Sequence, residues 1–472
     1  MFIGRANEIS KLNELYASNK FECVIIYGRR RVGKTTLIEE FCKGKKSIYF
    51  VGIESTIQNN LENLSKSIFS LITPNLSQYP YFDRFDKALD YIYEKFSGER
   101  IILILDEYPY LASSDKSVSS ILQNYIDHKF KNSQLFLILC GSSMSFMENQ
   151  VLGYKSPLYG RGTAQFKIKP FDYFDSSKFY NSFSHEDNAI IYGITGGIPQ
   201  YLELFDDKKS LKENIINNVL DKTAYLFEEP GNLLKQELRE PHIYNGIIRA
   251  IAKGASKLNE IATSAGLETS VCSVYIKSLI ALNIVKKENP VIDGKIRKSI
   301  YRIEDNLYNF WYRFISENIS SIVIGNTKTL YDNAIAPYIS DYMGNIFEKM
   351  CREYLMRLNY SNLLPFHFLS LGRWWGTDPK NKRQIEIDIV AVSKSEKKAI
   401  FAECKYKNEL VGMKVLEYLV EKSETIGYRF LNKYYYLFSK SGFTKTLKLY
   451  ALENTKVKLI NLDMLYNLEL SH

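Results

Sequence analysis

A glycine-rich basic segment near the start of the chain brings together residue types that bind phosphate. It consists of Gly28, Arg29, Arg30, Arg31, Val32, Gly33, Lys34, Thr35 and Thr36. The spacing fits G-x-x-x-x-G-K-[ST], a loop in which backbone N–H groups surround phosphate oxygens. Lys34 can bridge the β- and γ-phosphates, and the Thr35 hydroxyl can bind Mg²⁺. The segment predicts a binding site for ATP, and a glycine-rich turn with a surface lysine is the alternative.

Two acidic residues, Asp106 and Glu107, directly follow the apolar run Ile101–Leu105. At the end of a second strand, Asp106 is expected to hold Mg²⁺ through water. Glu107 is placed to polarise the attacking water, which is the task of a general base. The alternative is a pair of acidic residues that only caps the strand end.

Two further polar residues are candidates for contact with the terminal phosphate. Ser142 follows the strand candidate Leu135–Cys140 and can sense the γ-phosphate, although an ordinary turn explains a serine there as well. Arg161 can act as an arginine finger within its own chain or on a neighbouring copy, and the second case requires a homo-oligomer. A solvated arginine is the alternative.

A third group of charged residues lies near the carboxyl end, on two segments that alternate like strands. Asp388 lies on the first, and Glu403 and Lys405 share a face of the second. A hairpin would bring these side chains together, where two carboxylates bind a cation such as Mg²⁺ and a lysine positions water. Glu348, on a preceding helix, can add another carboxylate. The group suits phosphodiester hydrolysis, and a strand pair with surface charges is the alternative.

The first 205 residues alternate short apolar runs with helical patterns, which is typical of an α/β fold with helices on both faces of a parallel sheet. The strand candidates are Cys23–Tyr27, Ser47–Val51, Ile101–Leu105 and Leu135–Cys140, and the helix candidates include Thr56–Ile72 and Phe82–Phe96. Near the carboxyl end, the candidates are a helix at Asn345–Leu358 and strands at Glu386–Val392 and Ala399–Cys404.

Changes of pattern along the chain predict a multidomain α/β protein with five segments. They are a nucleotide-binding core at 1–205, a helical lid at 206–240, a winged helix-turn-helix at 241–305, a helical connector at 306–343 and a second α/β domain at 344–472. The nucleotide-binding core places the glycine-rich segment between a strand and a helix, as its motif requires.

The winged helix-turn-helix follows from three short helices and a two-stranded wing. The helices are predicted at Ile243–Lys253, Lys257–Ser264 and Thr269–Leu282, and the wing at Ile284–Lys287 and Ser299–Ile303. Between residues 249 and 302, ten basic side chains stand against four acidic ones, which favours a nucleic-acid partner. The candidate DNA contacts are Ser273, Lys277, Lys295, Arg297 and Lys298. A module that only contacts protein is the alternative.

Two apolar groups in this part of the chain are expected to form core. On the third helix, the residues expected to pack inward are Val271, Val274, Tyr275, Leu279 and Leu282. The aromatic run Asn309–Ile315 is expected to pack within a connector helix, with base stacking as the alternative.

Several motifs, in their order along the chain, resemble those of the archaeal-type ATPases, relatives of the AAA+ and STAND NTPases. They are FIGRANE at 2–8, the glycine-rich loop at 28–36, LDE at 105–107, GSS at 141–143 and TGGIPQYL at 195–202. The resemblance covers about residues 1–240. It implies that Gly4 and Arg5 lie near the adenine and that the GGIP segment begins a helical lid behind the nucleotide.

The carboxyl-terminal pattern D-x₁₄-E-x-K resembles the PD-(D/E)XK nuclease superfamily. LGRWWG at 371–376 and AECKY at 402–406 are similar to the nuclease-like domain that often follows archaeal-type ATPases. The resemblance implies that Asp388 and Glu403 bind the metal and that Lys405 is catalytic. Ile387 stands where the superfamily pattern has a proline, and an inactive nuclease fold kept for binding is the alternative.

The composition of the 472-residue chain is ordinary for a soluble protein of about three domains. The net charge of +9 permits a nucleic-acid partner without requiring one. None of the six cysteines forms a C-x-x-C pair, so neither a structural zinc site nor a disulfide framework is predicted. The apolar runs are far shorter than the roughly 18 residues of a membrane helix. We therefore expect a reducing, cytoplasmic location and no membrane partner.

These patterns lead to two classes of function. The first is a protein that binds and hydrolyses ATP, with Mg²⁺, and couples its nucleotide state to DNA binding or metal-dependent DNA cleavage. The second is an ATP-dependent switch or scaffold, or a transcription regulator, with a catalytically inactive nuclease-like domain.

Overall fold

The computed structural model describes residues 2–74, 78–292, 299–378 and 382–467, which form two compact units. The first unit comprises Met1–Pro170 and Ile198–Gln200, and the second comprises Phe171–Gly197 and Tyr201–His472. Residues 171–197, which the sequence assigns to the nucleotide-binding core, therefore group with the second unit.

The first unit is built on a five-stranded parallel sheet. Its strands are β1 (Glu22–Tyr27), β2 (Ser47–Val51), β3 (Ile102–Asp106), β4 (Phe136–Gly141) and β5 (Ala164–Lys167). Their order across the sheet is β2-β3-β4-β1-β5. The four predicted strands agree with β1 to β4 within one residue at each end, whereas β5 is not among the predictions. Because β4 lies between β1 and β3, the carboxyl ends of these three strands are neighbours.

Helices cover both faces of this sheet, which explains why every residue of β1, β3 and β4 is buried. The helices are Ala6–Ala17, Lys34–Cys42, Ile57–Ile72, Phe85–Phe96, Tyr108–Ser114, Val118–His128, Phe130–Asn132, Met144–Phe146 and Met147–Val151. Two apolar cores lie on the two faces, one containing Leu103 and Leu137 and the other Ile104 and Ile138.

The second unit begins with a helical region. Its helices up to residue 281 are Tyr173–Ser177, His185–Thr195, Leu211–Ile215, Ile216–Leu220, Tyr225–Glu237, Pro241–Ala252, Leu258–Ser264 and Thr269–Ala281, with Pro199–Leu202 at the boundary between the units. The short strands β6 (Val285–Glu288) and β7 (Ile300–Ile303) then pair antiparallel. The predicted order of three helices and two strands is therefore present.

The third of the three helices buries a face that coincides only in part with the predicted one, because Leu279, Tyr275 and Leu282 pack on the core and two other predicted residues do not. Val271 and Val274 are 41% and 62% exposed, and Cys272, Ile276 and Leu279 are buried in the core. The buried residues recur at the four- and three-residue spacing of one helix face. The prediction for Val271 and Val274 was wrong, and that for Leu279 is confirmed.

A connector of short helices leads to one long helix. These elements are Asn306–Phe310, Trp311–Ile315, Ile319–Val323, Thr327–Leu330, Tyr331–Ile335, Ala336–Tyr338 and Ile339–Tyr360. Within the aromatic run, Phe310, Phe314 and Ile315 are buried, which confirms the expected packing. The long helix extends the predicted one at both ends.

The carboxyl-terminal part of the second unit contains a mixed five-stranded sheet. Its strands are β8 (Ser370–Thr377), β9 (Gln384–Ser393), β10 (Lys398–Lys405), β11 (Asn432–Ser439) and β12 (Val457–Asn461). β8, β9 and β10 pair antiparallel, and β10, β11 and β12 pair parallel. The remaining helices are Met413–Glu424, Lys445–Glu453 and Leu462–Tyr466. Within the described ranges, no helix has the length and apolar character to cross a bilayer.

Candidate active site

The glycine-rich loop connects β1 to the helix that begins at Lys34, and two glycines allow its path. A Cβ added to Gly28 would lie 2.3 Å from the carbonyl oxygen of Ile168, so only glycine lets the two backbones approach this closely. Gly33 has a φ of 85°, in the left-handed region that favours glycine. The loop backbone therefore takes a path that side chains at these two positions would obstruct.

Lys34 lies inside the loop. Its side-chain ammonium donates to the carbonyl oxygens of Gly28 at 3.0 Å and Arg29 at 3.1 Å, and the residue is only 7% exposed. Burial lowers the pKa of Lys34 from its ordinary value. The ammonium thus occupies the interior of the loop, where the motif places the terminal phosphates.

Asp106, the last residue of β3, faces the start of the same helix. Its Oδ2 atom lies 3.5 Å from the Thr35 hydroxyl and accepts a hydrogen bond from the Tyr49 hydroxyl at 2.7 Å. Burial, and then Asp106, raise the pKa of Tyr49. A hydroxyl and a carboxylate are hard oxygen donors, and Mg²⁺ is commonly bound by one or two protein groups together with phosphate oxygens. Thr35 and Asp106 fit such an ion.

Glu107 is oriented by Ser142 at the end of β4. Both the hydroxyl and the backbone N–H of Ser142 donate to Glu107 Oε2, at 2.9 and 3.3 Å. The backbone of Glu107 has a φ of 45°, unusual for a residue with a side chain. The sequence did not indicate this contact, and the contact of Ser142 with a γ-phosphate stays a prediction.

The segment around Arg5 lies against the loop. The Arg5 guanidinium donates to the carbonyl oxygens of Val32 at 3.2 Å and of Lys169. Pro199, of the GGIP segment, approaches the other side: its Cγ would be 3.6 Å from a Cβ added to Gly33. The motifs at 2–8 and 28–36 and Pro199 therefore meet, while the proximity of Gly4 and Arg5 to an adenine stays a prediction.

Arg161 lies at the opposite edge of the sheet. It precedes β5, whose Ala164 pairs with Val24 near the start of β1, whereas the loop follows the end of β1. The guanidinium donates to both carboxylate oxygens of Asp127 at 2.7–3.1 Å. In this structure Arg161 is thus paired with Asp127 at the amino ends of the strands, and its action as an arginine finger, within its own chain or on a neighbouring copy, stays a prediction.

In the second unit, Asp388, Glu403 and Lys405 are brought together on β9 and β10. Asp388 Oδ2 accepts the backbone N–H of Cys404 at 2.9 Å, and the Lys405 ammonium contacts Glu403 Oε1 at 2.7 Å. Burial, and then the charges of Glu403 and Glu348, raise the pKa of Asp388 to about 7. The predicted hairpin geometry is present.

Two features separate this carboxylate cluster from the predicted metal site. Lys422 contacts Glu403 Oε2 at 2.6 Å, so ammonium groups meet both oxygens of Glu403. Glu348 lies 3.7 Å from Arg373 and 3.8 Å from Arg352. Among the residues that the structure describes, no three His, Cys, Asp or Glu side chains are arranged to hold a metal ion. That Glu348 completes such a set with Asp388 and Glu403 stays a prediction, and the cluster as it stands, with ammonium groups on both oxygens of Glu403, does not fit a divalent cation.

The candidate DNA contacts are described only in part. On the third helix, Lys277 is exposed and Ser273 is half-buried. Lys295, Arg297 and Lys298 lie outside the described residues. On the adjoining hairpin, Lys286 pairs with Glu288 at 2.7 Å and Glu304 at 3.0 Å, which neutralises part of the local positive charge.

Sequence reasoning missed Tyr49 and Lys422, two residues that contact the predicted carboxylates. Tyr49 reaches Asp106 because β2 is the neighbour of β3, and strand order is not written in a local motif. Lys422 lies in a segment with a helical pattern, and the sequence does not distinguish a buried lysine from an exposed one there. The sequence indicates the acidic residues through their motifs, whereas the side chains that contact them can be found only from the fold.

Two family models match the chain. Residues 2–205 match an ATPase domain found predominantly in Archaea, and residues 311–422 match a family of archaeal and bacterial proteins of unknown function.

Individual proteins extend these matches. An uncharacterized protein of Methanocaldococcus jannaschii is 35% identical over 444 residues, 93% of this chain and 96% of that protein. An uncharacterized ATP-binding protein of Pyrococcus horikoshii is 26% identical over 279 residues, 52% of this chain and 86% of that protein. A Walker-type ATPase of Pyrococcus abyssi covers 66% of this chain and 96% of its own, with 21% identity and a TM-score of 0.50. This last likeness shows the fold, an α/β multidomain protein with a parallel five-stranded sheet typical of P-loop NTPases.

Proposed function

Because the chain belongs to the family whose ATPase domain is found predominantly in Archaea, we propose that its first unit binds ATP with Mg²⁺ and hydrolyses it to ADP and phosphate. One observation carries the proposal. The loop at 28–36 and the acidic pair Asp106–Glu107 lie at the same edge of one parallel sheet, with the Thr35 hydroxyl 3.5 Å from Asp106.

Each polar group in this site has a task in phosphoryl transfer. The loop amides and Lys34 bind the β- and γ-phosphates, and Thr35 and Asp106 hold Mg²⁺. When bound, Mg²⁺ neutralises charge on the phosphate oxygens. Glu107 accepts a proton from the attacking water, and Ser142 holds the Glu107 carboxylate in orientation.

The variant Glu107→Gln tests the water-activating role. Glutamine keeps the size of the side chain but cannot accept the proton, so we expect ATP turnover to fall by about 10²- to 10⁴-fold while ATP still binds. Steady-state phosphate release and equilibrium binding separate the two effects. Glu14→Gln, a change at an exposed surface position, is the matched control. Normal turnover by Glu107→Gln overturns the assignment of the base.

We further propose that the nucleotide state of the first unit controls how the second unit acts on nucleic acid. Support comes from residues 249–302, where ten basic and four acidic side chains accompany three helices and a β-hairpin, an arrangement suited to a winged helix-turn-helix. A scaffold that contacts only protein, or a transcription regulator, is the competing function. A regulator leaves sequence-specific footprints on DNA, whereas charge alone gives salt-sensitive binding without sequence preference.

A second candidate activity is metal-dependent hydrolysis of phosphodiesters by the carboxyl-terminal domain. The observation that favours it is the placement of Asp388, Glu403 and Lys405 on two adjacent strands, with the Lys405 ammonium 2.7 Å from Glu403. This placement supports a PD-(D/E)XK nuclease-like domain. The contact between Lys422 and Glu403 opposes metal binding in the present arrangement.

Cleavage of plasmid and branched DNA in the presence of Mg²⁺ or Mn²⁺ tests this activity. We expect the native protein to cleave and both Asp388→Asn and Lys405→Ala to lose cleavage, because one loses a ligand charge and the other an ammonium. Glu409→Gln, at an exposed position beyond β10, is the control. Equal background cleavage by all four proteins favours the switch or scaffold.

A further inference from the structure

Glu403 is surrounded by ammonium groups on both sides. Lys405 contacts Oε1 at 2.7 Å and Lys422 contacts Oε2 at 2.6 Å. Glu403 itself is 7% exposed, so these contacts form with little competition from water. A cation that approaches either oxygen meets a positive charge already in contact with it.

The two lysines differ in how easily their ammonium groups can move away from Glu403. The Lys405 side chain is 34% exposed, so its flexible stem can carry the ammonium into water. Lys422 is 5% exposed and lies on the helix Met413–Glu424. Its ammonium also donates to the carbonyl oxygen of Glu386 at 2.9 Å and lies 4.8 Å from the ring centre of Tyr418. A buried ammonium is costly unless it is paired, so these contacts hold Lys422 in place.

Positive charge is already present in the cluster without a metal. Two ammonium groups, from Lys405 and Lys422, accompany the carboxyl groups of Asp388 and Glu403. Mg²⁺ requires ligand oxygens at about 2.0–2.1 Å, and it cannot reach Glu403 Oε2 while an ammonium occupies that direction. Adding two positive charges beside Lys422 would also be unfavourable at low dielectric.

We propose that the Lys422 ammonium is the resident cation of this cluster and closes it to divalent metal. This inference concerns the site proposed for metal-dependent phosphodiester hydrolysis, and it rests on that proposed function. With Lys422 in place the resting cluster is free of metal, and metal enters only after the helix Met413–Glu424 or the Lys422 side chain moves away from Glu403.

Calorimetric titration of the nucleotide-free full-length protein with Mn²⁺ tests the proposal without measuring cleavage. We expect Lys422→Met, which keeps the apolar stem and removes the charge, to bind Mn²⁺ at least about tenfold more tightly than the native protein. The added Asp388→Asn change should abolish the new site, which assigns the binding to this cluster. Lys433→Met, which removes an ammonium paired with Glu424 outside the cluster, is the matched control.

Two results overturn the proposal. One is Mn²⁺ binding to Lys422→Met that the added Asp388→Asn change does not remove, and the other is no gain in Mn²⁺ affinity in Lys422→Met over the native protein. If Lys422→Met folds poorly, Lys422→Gln replaces it, and Mn²⁺ must raise its melting temperature more than that of the native protein. Cleavage is a separate readout: a gain of Mn²⁺ binding without DNA cleavage supports the role of Lys422 and counts against the nuclease activity.

Discussion

Ser142, which follows β4, is hydrogen-bonded to the carboxylate of Glu107, which follows β3. Its hydroxyl and its backbone N–H both donate to Glu107 Oε2, so the glutamate is held from the neighbouring strand β4. A general base must point at the water that it activates, and a fixed carboxylate loses less entropy in reaching that geometry. Under the proposed function, Ser142 therefore positions Glu107.

The variant Ser142→Ala should slow ATP turnover without weakening ATP binding. Losing one hydrogen bond to the charged Glu107 should lower kcat by about tenfold. The backbone N–H of residue 142 still donates to Glu107, which keeps the decrease in kcat from being larger. Measured kcat and the Kd for ATP should separate, because a general structural defect would change both. Ser143→Ala alters the adjacent hydroxyl and is the control. Equal kcat values for Ser142→Ala and the native protein contradict the positioning role.

The charged residues of the first site could be predicted because each belongs to a short motif. Lys34 follows its glycines by a fixed spacing, and Asp106 and Glu107 directly follow the apolar run Ile101–Leu105. Their contacts with Tyr49 and Ser142 depend on which strands are neighbours. Sequence distance carries no information about those contacts, which is why they appear only in the fold.

At the scale of elements, the close approach of the loop to the segment after β5 fixes one end of the phosphate-binding loop. The backbone at Gly28 passes so near Ile168 that a Cβ would lie 2.3 Å from a carbonyl oxygen. The backbone N–H of Ile168 also donates to the Tyr27 carbonyl at 2.7 Å. A backbone atom cannot yield as the end of a flexible side chain can, so the loop and this segment have to move apart when a side chain is added.

We expect Gly28→Ala to lower the free energy of unfolding by about 1–3 kcal/mol through this overpacking. ATP affinity should also fall, because the displaced loop no longer surrounds phosphate. Gly98→Ala is the matched control, since a Cβ there meets no atom within 4 Å, and its effect should stay within about 1 kcal/mol. Denaturant unfolding of both variants measures the difference. A Gly28→Ala protein as stable as Gly98→Ala contradicts the close approach.

The bounds of strands with a continuous run of apolar residues could be predicted better than those of elements in which apolar and polar residues are mixed. β1, β3 and β4 are buried throughout and were located within one residue. β5 alternates between half-buried and exposed residues over four positions, which gives too short a pattern to predict. The helix Thr269–Ala281 offers apolar residues around much of its surface, so packing with its neighbours, and not its sequence, selects Cys272 and Ile276 as buried.

At the scale of the whole molecule, the two five-stranded β-sheets belong to different units. The family match covers residues 2–205, whereas the compact first unit is smaller, because residues 171–197 group with the second unit. The sequence records a change of pattern along the chain. It does not record on which unit a short helix packs, since that depends on contacts with distant residues.

The proposed function of the molecule depends on ATP binding by the loop at 28–36. Calorimetric titration with ATP and Mg²⁺ measures it most directly, using the native protein, Lys34→Ala and the control Lys11→Ala, which changes an exposed lysine of the first helix. We expect saturable binding by the native protein and Lys11→Ala, and a loss of at least about tenfold in Lys34→Ala, because the phosphates lose their ammonium partner. A native, folded protein that binds no purine nucleoside triphosphate contradicts the proposed function.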